Sequence, residues 1–394
     1  MERTVIYELE SMYRDSFRVT GFRFGSGEKT MCVVGSMRGN EVQQLYCCSQ
    51  LVDRLKTLEA RGLINEGHSI TVIPCVNPYS MNIGKRFWPT DNSDINRMFP
   101  GYDLGETTQR IADGLFKELI GYRYGVQFAS YHAPGQFTPH VRMMRTGFES
   151  VEDAKVFALP YVVLVDPVPF DSGVLNYNWQ IWETKAFSLY TQETSRIDRA
   201  SALRVVDSVT RFLNRIGAIS YDGKAGYIPD VIEESHLVSV QTREAGIFEP
   251  LVEVEAQVNA GDVIARVIDP YEGSVRQEII AECDSVVFFR HSDPLVYADT
   301  VVFRLIPIGE FKIGSTENRC RLHRWEGLSK GCQSSIGNDP CLPMPGNDEC
   351  HHLVEASVIV GGDESEPVGF IVLDQLVMAV ETDDPASDDS PGLV

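Results

Sequence analysis

The chain has 394 residues, of which 35 are lysine or arginine and 56 are aspartate or glutamate, giving a formal net charge of −21. A chain of this length exceeds one hydrophobic core of ordinary size, so two or three domains are expected. The negative charge argues against a nucleic-acid or anionic-membrane partner, because both require a basic surface.

The N-terminus and the apolar runs predict the cellular location of the protein. Residues 1–17 (MERTVIYELESMYRDSF) carry charges throughout and lack the apolar stretch of a signal peptide. No segment approaches the roughly 18 apolar residues of a membrane span. A cytoplasmic location is therefore expected, where thiols stay reduced. Four cysteines in apolar runs are expected to be reduced core residues: Cys32, Cys47, Cys48 and Cys75.

The first 220 residues alternate between apolar runs and segments of helical periodicity. The alternation is typical of βαβ units and predicts an α/β fold whose mixed, largely parallel sheet is flanked by helices. Binding loops in such sheets leave the carboxyl ends of the strands. The predicted strands are 31–36, 69–76, 125–131 and 161–165, and the predicted helices are 40–61, 105–120 and 199–216.

The pattern changes near residue 221. Short apolar runs divided by turns predict a small all-β domain over 221–310, with a turn at residues 259–262. Residues 311–394 form an acidic, cysteine-containing extension, and residues 381–394 have the composition of a disordered chain. The expected division is therefore 1–220, 221–310 and 311–394.

The extension carries cysteines that could suggest a second metal site. Cys332, Cys341 and Cys350 recur at intervals of nine, and His351 and His352 follow at once. A structural zinc site usually contains two cysteines separated by only two residues, and the extension lacks such a pair. Free thiols are the favoured interpretation.

Polar side chains gather in the loops that follow the predicted strands. Because these loops leave one edge of the sheet, their side chains are expected to form one site. The loops contain Gly35-Ser-Met-Arg38-Gly-Asn-Glu41, Asn77-Pro78, Arg86, Asp94-Ile-Asn96-Arg97-Met-Phe-Pro-Gly101, Ser130-Tyr-His132, His140, Arg142 and Glu193.

This arrangement resembles the succinylglutamate desuccinylase/aspartoacylase family, a branch of the zinc carboxypeptidase superfamily. Residues 77–101 resemble the family's Asn-Pro, distant arginine and Asp-x-Asn-Arg-x-Phe-Pro-Gly run. Gly246-Ile-Phe-Glu-Pro250 and Gly261-Asp262 resemble a motif of its C-terminal β domain. The resemblance extends over roughly residues 20–305 and implies a zinc carboxypeptidase-like fold.

The resemblance implies a chemistry. The implied reaction is the hydrolysis of an amide bond in an N-acyl amino acid or small acidic peptide, with zinc as the cofactor. Glu41 and His132 match two zinc ligands of the family. Glu193 falls in the region of its general base, although the surrounding residues match only loosely.

Arginines in these loops predict a pocket for an anionic ligand. The resemblance assigns Arg86, Asn96 and Arg97 to the substrate carboxylate. Arg38 and Arg142 belong to loops at the same edge. Arginines gathered in so acidic a protein favour a small acidic ligand over ordinary surface charge.

Two positions depart from the family pattern. Arg38 stands where the first ligand histidine belongs, and Ser130 stands where an aspartate is expected. Catalytic zinc normally has three protein ligands and one water, whereas Glu41 and His132 supply two. An arginine cannot be the third, because its guanidinium is always charged and has no free electron pair.

Three interpretations stay open. In the first, His140 supplies a third ligand to a rebuilt zinc site. In the second, no zinc is bound, Arg38 pairs with Glu41, and the pocket binds an anionic ligand as a pseudoenzyme or works by metal-free chemistry. In the third, the fold serves only a structural role. Lone histidines are more often structural than ligands, and an i,i+3 pair such as Arg38–Glu41 is often only local. The formation of a homo-oligomer is also left open by the sequence.

Overall fold

A computed structural model of the chain describes residues 1–11, 15–221, 223 and 225–309. The predictions for residues 311–394, including the cysteine cluster and the acidic tail, lie outside the described residues. No helix in the described part is long and apolar enough to cross a membrane. The cytoplasmic location and the oligomeric state stay predictions.

The described chain contains strands and helices throughout. The strands are β1 (Glu2–Leu9), β2 (Phe17–Gly25), β3 (Gly27–Ser36), β4 (Gly67–Cys75), β5 (Tyr124–Ala129), β6 (Gly135–Phe137), β7 (His140–Met144), β8 (Tyr161–Val165), β9 (Lys185–Tyr190), β10 (Asp230–Glu233), β11 (Val238–Gln241), β12 (Gly246–Pro250), β13 (Gln257–Val258), β14 (Val263–Ile268), β15 (Val275–Ile280), β16 (Ser285–His291), β17 (Leu295–Val296) and β18 (Val301–Pro307). The helices are α1 (Val42–Ala60), α2 (Pro78–Asn82), α3 (Thr107–Leu119), α4 (Val151–Val156), α5 (Leu175–Ile181) and α6 (Arg199–Arg215).

A nine-stranded sheet has the order β1-β2-β4-β3-β5-β9-β7-β8-β10. Its inner strands β4, β3, β5 and β9 run parallel, while β1, β2 and the β7–β9 pair introduce antiparallel neighbours. The large mixed sheet flanked by helices is therefore confirmed. The predicted strands 31–36, 69–76, 125–131 and 161–165 correspond to β3, β4, β5 and β8.

Both faces of this sheet are covered. Met31 and Val33 of β3 belong to a core with α1 and α6, whereas Cys32 and Val34 face a core with α3 and α5. Successive side chains of a strand point to opposite faces, so a strand covered on both sides needs a continuous apolar run. That is why MCVVG could be recognised as a buried strand.

The buried cysteines follow from the same packing. Cys32, Cys47 and Cys48 are buried free thiols, as predicted, and Cys75 is a half-buried free thiol. Burial raises the pKa of the Cys47 and Cys75 thiols to about 12, which leaves them protonated at neutral pH.

Two further antiparallel sheets follow along the chain. One has the order β11-β18-β16-β13, with β6 beside β16, and the other has the order β15-β14-β12-β17. The expected turn is present, because Asp262 N donates to Asn259 O at 3.1 Å. Strand β10 follows residue 220 but pairs with β8 of the large sheet, and β6 precedes residue 220 but pairs with β16. The strand pairing therefore does not follow the predicted boundary at residue 220. A separate all-β domain over 221–310 stays a prediction.

Sequence reasoning missed β1 and β2. Every residue of β1 is exposed or half-buried. β1 is an edge strand without an apolar run, and β2 alternates between buried and exposed side chains instead of forming a continuous apolar run.

We expect Leu51→Ala to destabilise the fold by about 2–5 kcal/mol, because Leu51 is fully buried between α1 and the sheet and its loss leaves a cavity. Urea unfolding monitored by circular dichroism measures the change. The matched control is Leu104→Ala, since Leu104 is 79% exposed. Equal effects of the two variants would contradict the packing described above.

Candidate active site

The loop after β3 lies against the segment after α2. Gly39 N donates to Arg86 O at 2.9 Å. A Cβ atom at Gly39 would lie 2.2 Å from Lys85 O and 2.3 Å from the Ser80 carbonyl carbon, so any other residue would push the two segments apart. This glycine therefore allows the loop of residues 37–40 to meet the segment that carries Arg86.

Arg38 bridges two carboxylates. Its Nη1 donates to Glu41 Oε1 at 3.0 Å, and its Nε and Nη2 donate to Asp94 Oδ2 at 3.0 and 2.7 Å. Arg38 is 8% exposed and Glu41 only 1%. Burial alone would lower the pKa of the guanidinium, but the two carboxylates outweigh it and raise the pKa. The cation at this position is therefore permanent.

Glu41 receives further donors. Met37 N and Arg38 N donate to its Oε2 at 2.8 and 3.1 Å, and Ser130 Oγ donates to its Oε1. Both carboxylate oxygens thus have two donors each. The two departures from the family pattern, Arg38 and Ser130, act on the same carboxylate.

These residues do not fit a zinc ion. A metal needs a free electron pair on each ligand, and the oxygens of Glu41 already accept from Arg38, Met37 and Ser130. Within the described ranges, no group of three or more histidine, cysteine, aspartate or glutamate side chains is arranged to hold a metal.

His140 is held in the protein core. It is 2% exposed, its Nδ1 donates to Thr138 O at 2.8 Å, and its ring stacks on Tyr190 at 4.7 Å between centroids. Burial lowers the pKa of His140 to about 4. These contacts account for the residue without a ligand, and its predicted role as a third zinc ligand has no support among them.

His132 lies at the surface among arginines. Its ring contacts that of Tyr131 at 4.1 Å, and Arg86 Nη1 donates to its carbonyl oxygen at 3.1 Å. Arg304, from β18, lies over the Tyr131 ring at 5.2 Å. Desolvation, Arg304 and Arg86 lower the pKa of His132, which favours the neutral imidazole.

Arg142 and Arg304 share one carboxylate. Arg142 Nη2 donates to Glu234 Oε2 at 3.2 Å, and Arg304 Nη1 donates to Glu234 Oε1 at 3.0 Å. Sequence reasoning missed Arg304 and Glu234, which belong to strands and turns far along the chain. The one signal was a charge inside the otherwise apolar run of residues 301–307.

Asn96 and Arg97 contact the loop before α5. Leu175 N donates to Asn96 Oδ1 at 3.4 Å. Arg97 Nη1 donates to Asp171 Oδ1 at 3.2 Å, and its guanidinium lies 3.9 Å from the Phe170 ring centroid. Both residues thus position residues 169–175, and their assignment to a substrate carboxylate stays a prediction.

Glu193 lies in a loop attached to the start of α1. Gln43 N donates to Thr194 O at 3.1 Å, which brings this loop to the sheet edge where Glu41 lies. Gln136 Nε2 donates to Glu193 Oε1 at 2.6 Å. Gln136 in turn accepts a hydrogen bond from Arg290. The carboxylate is thus oriented by residues of the neighbouring sheet.

The sheet and its loops have a zinc carboxypeptidase-like fold. Residues 27–167 match the model of the succinylglutamate desuccinylase/aspartoacylase catalytic domain. These residues contain β3, α1, β4 and the loops that carry Arg38, Glu41 and His132. The resemblance predicted from the sequence is thereby confirmed over these residues.

Individual relatives agree with this assignment. The N-alpha-acetyl-L-2,4-diaminobutyric acid deacetylase of Halomonas elongata is 24% identical over 288 residues, which are 69% of this chain and 80% of that protein. A succinylglutamate desuccinylase from Silicibacter sp. TM1040 superposes with a TM-score of 0.64 at 19% identity, covering 77% of this chain and 94% of that one. An aspartoacylase family protein from Mesorhizobium loti gives 0.61 at 21% identity, covering 75% and 91%.

We expect Arg38→Met to destabilise the protein by about 3–5 kcal/mol, because it leaves the buried Glu41 without its cation. Urea unfolding measures the loss. The control Arg18→Met removes an arginine whose side chain is 56% exposed and is expected to change nothing measurable. A second variant that adds Glu41→Gln should recover part of the loss. Full stability of Arg38→Met would contradict the role of this ion network.

His140 predicts a loss of stability in acid. Its folded pKa of about 4 lies below the ordinary value of 6.5, so the unfolded chain takes up the proton first. The stabilisation is therefore complete above pH 6.5 and is lost as the pH falls towards 4. Between pH 6.5 and 5 the loss is about 2 kcal/mol.

His140→Gln tests this pH dependence through unfolding free energies at pH 7.5 and 5.0. The variant is expected to show a smaller drop than the wild type. His236→Gln is the control, because the side chain of His236 is 65% exposed. The same drop in His140→Gln and wild type would rule out the buried neutral imidazole.

Proposed function

We propose that this protein binds a small N-acyl amino acid or acidic peptide in the pocket of a deacylase-type fold, without a metal ion. The observation that supports the proposal is the bridge of Arg38 to Glu41 and Asp94. In this proposal the guanidinium supplies the positive charge for which the family pattern uses zinc. The protein is then a pseudoenzyme that retains the ligand-binding pocket of the fold.

The guanidinium of Arg38 can supply this positive charge permanently. A guanidinium stays charged at every physiological pH and cannot be removed by a chelator. Its bonds to Glu41 and Asp94 use three of its five N–H groups. The remaining N–H groups are suited to a ligand oxygen, though not to activating a water as a metal does.

Arg86 supports the anionic character of the ligand. In the described part of the chain it has no carboxylate within salt-bridge distance, and its Nε is buried without an acceptor. Desolvation and then the nearby Arg38 lower the pKa of its guanidinium, so the charge is held at a cost. A ligand carboxylate would offset that cost through a charge-assisted hydrogen bond.

Amide hydrolysis is the second candidate function. It is supported by the match to the family's catalytic domain and by the deacetylase relative from Halomonas elongata. In this candidate Glu193, oriented by Gln136, accepts the proton of the attacking water and passes it to the leaving amine. Arg86 holds the carboxylate of the substrate in both candidates.

Calorimetric titration with N-succinyl-L-glutamate and N-acetyl-L-2,4-diaminobutyrate in the presence of EDTA tests the metal-free proposal. We expect binding of at least one ligand to persist in EDTA, with no free amino acid released on prolonged incubation. Arg86→Met should weaken binding at least about tenfold, since a charge-assisted hydrogen bond contributes about 1.5–3 kcal/mol. Arg18→Met is the matched control and should bind like the wild type.

Other outcomes separate the two candidates. Stoichiometric zinc in the purified protein, or binding that EDTA abolishes, would overturn the metal-free proposal. Release of an amino acid that Glu193→Gln prevents would establish the hydrolase instead. Arg38→His provides a complementary measurement, because zinc uptake by that variant alone would show that only the ligand set separates this pocket from a metal site.

A further inference from the structure

The two faces of the sheet β15-β14-β12-β17 differ in burial. Phe248, Val267 and Ile279 belong to a hydrophobic core that is shared with β18. Successive side chains of a strand point to opposite sides of a sheet, so the residues that alternate with these three lie on the outer face. An antiparallel sheet that is buried on one side usually carries polar residues on the other. The outer face of this sheet departs from that rule.

Four apolar residues form a row straight across the outer face. Ile247 of β12 is the register partner of Leu295 on one side and of Ile268 on the other. Ile268 is in turn the partner of Val275. Leu295 is 65% exposed, Val275 is 50% exposed, and Ile247 is exposed between them. A row that spans all four strands is a continuous apolar patch, unlike the single exposed apolar residues that are normal on a protein surface.

A row of charges lies beside the apolar row, two residues along the strands. Glu249 of β12 is the register partner of Arg266 of β14, which is the partner of Glu278 of β15. Arg266 Nε lies 3.5 Å from Glu278 Oε1, and both side chains are exposed. Leu251 and Ile280, two residues further along the chain from the two glutamates, are exposed apolar residues again. The charges therefore lie in the middle of the patch.

A second copy of this chain has the complementary pattern. If two such faces pack with a two-fold axis parallel to the strands, β12 of one copy lies on β14 of the other, and each row faces the same row of the second copy. Ile247 then meets Ile268 of the second copy. Glu249 of each copy meets Arg266 of the other, so the symmetry creates two contacts between opposite charges.

The charges favour this orientation over packing with the two-fold axis across the strands. That second arrangement would place Arg266 against Arg266 of the second copy, and Glu249 against Glu249. Like charges that face each other across an interface are destabilising. The axis along the strands joins apolar to apolar side chains and each glutamate to an arginine.

The outer face has the size of a weak interface. The strands β14 and β15 have six residues each. Four strands about 4.8 Å apart, with a rise of about 3.4 Å per residue, give roughly 400 Å² of sheet plane for each copy. Together with the relief of the side chains, two copies reach the lower end of specific interfaces, about 1,000–1,200 Å² in total. A dimer that depends on concentration is therefore expected.

We infer that the outer face of β15-β14-β12-β17 is the contact surface of a homodimer, in which Glu249 pairs with Arg266 of the second copy. The inference does not depend on the proposed function, because Arg38 and His132 belong to loops of the large sheet.

Charge reversal tests the pairing by sedimentation velocity over a dilution series in about 0.15 M salt, which screens the net negative charge. Glu249→Arg and Arg266→Glu should each weaken self-association at least about tenfold, because each creates two like-charge contacts. An equimolar mixture of the two variants should dimerise like the wild type, since each reversed charge then meets an opposite charge on the other variant. Recovery in the mixture also shows that both variants fold.

Two further variants keep the test specific. Glu152→Arg is the matched control for charge reversal, because the side chain of Glu152 lies on α4 and is 84% exposed. It should associate like the wild type. Ile247→Ser keeps the charges of the face and tests the apolar row, so it should also weaken the dimer.

The contrary results are distinct. A wild type that stays monomeric up to about 100 µM overturns the inference. A dimer that neither reversal at Glu249 or Arg266 weakens also overturns it, because the contact then lies on another surface. Equal weakening by Glu152→Arg would show an effect of overall charge and would overturn it as well. So would a mixture that does not recover although the circular dichroism of both variants matches that of the wild type.

Discussion

The ion network of Arg38, Glu41 and Asp94 is the interaction on which the rest of the site depends. Glu41 is 1% exposed, and a carboxylate so deeply buried needs a cation and a full set of donors. Arg38 supplies that cation from within the same loop. Because it also bonds Asp94, it joins the loop after β3 to the segment that carries Arg86, and no metal is needed to hold the two together.

The two departures from the family pattern form one physical solution. An aspartate at position 130 would place a second carboxylate beside Glu41, and two adjacent carboxylates repel each other unless a metal or a shared proton lies between them. Ser130 removes that charge and donates a hydrogen bond to Glu41 instead. A site that has an arginine at position 38 therefore gains from a serine at position 130, and the pair of changes is more informative than either alone.

How far the sequence could predict this protein depends on the kind of signal each part carries. β3 and β4 are covered on both faces, so their apolar runs were readable, and the glycine-rich loop and the run from Asn77 to Gly101 were specific enough to indicate the family. β1, an edge strand without a continuous apolar run, gave no such signal. Arg304 and Glu234 could not be predicted for another reason, because these side chains are far apart in sequence and meet only through the pairing of β11 with β18 and of β10 with β8.

The sequence by itself determined the α/β class, the resemblance to the family and the presence of an arginine where that family has a metal ligand, since these depend on local residue patterns. It also left open whether Arg38 would pair with Glu41. Only the tertiary structure decided that Arg38 also bonds Asp94 and that Ser130 donates a further hydrogen bond to Glu41. It also decided that His140 is packed in the core and that Arg142 and Arg304 share one carboxylate. Each of these is a contact between distant segments, whose distance and burial are set by packing and not by sequence spacing.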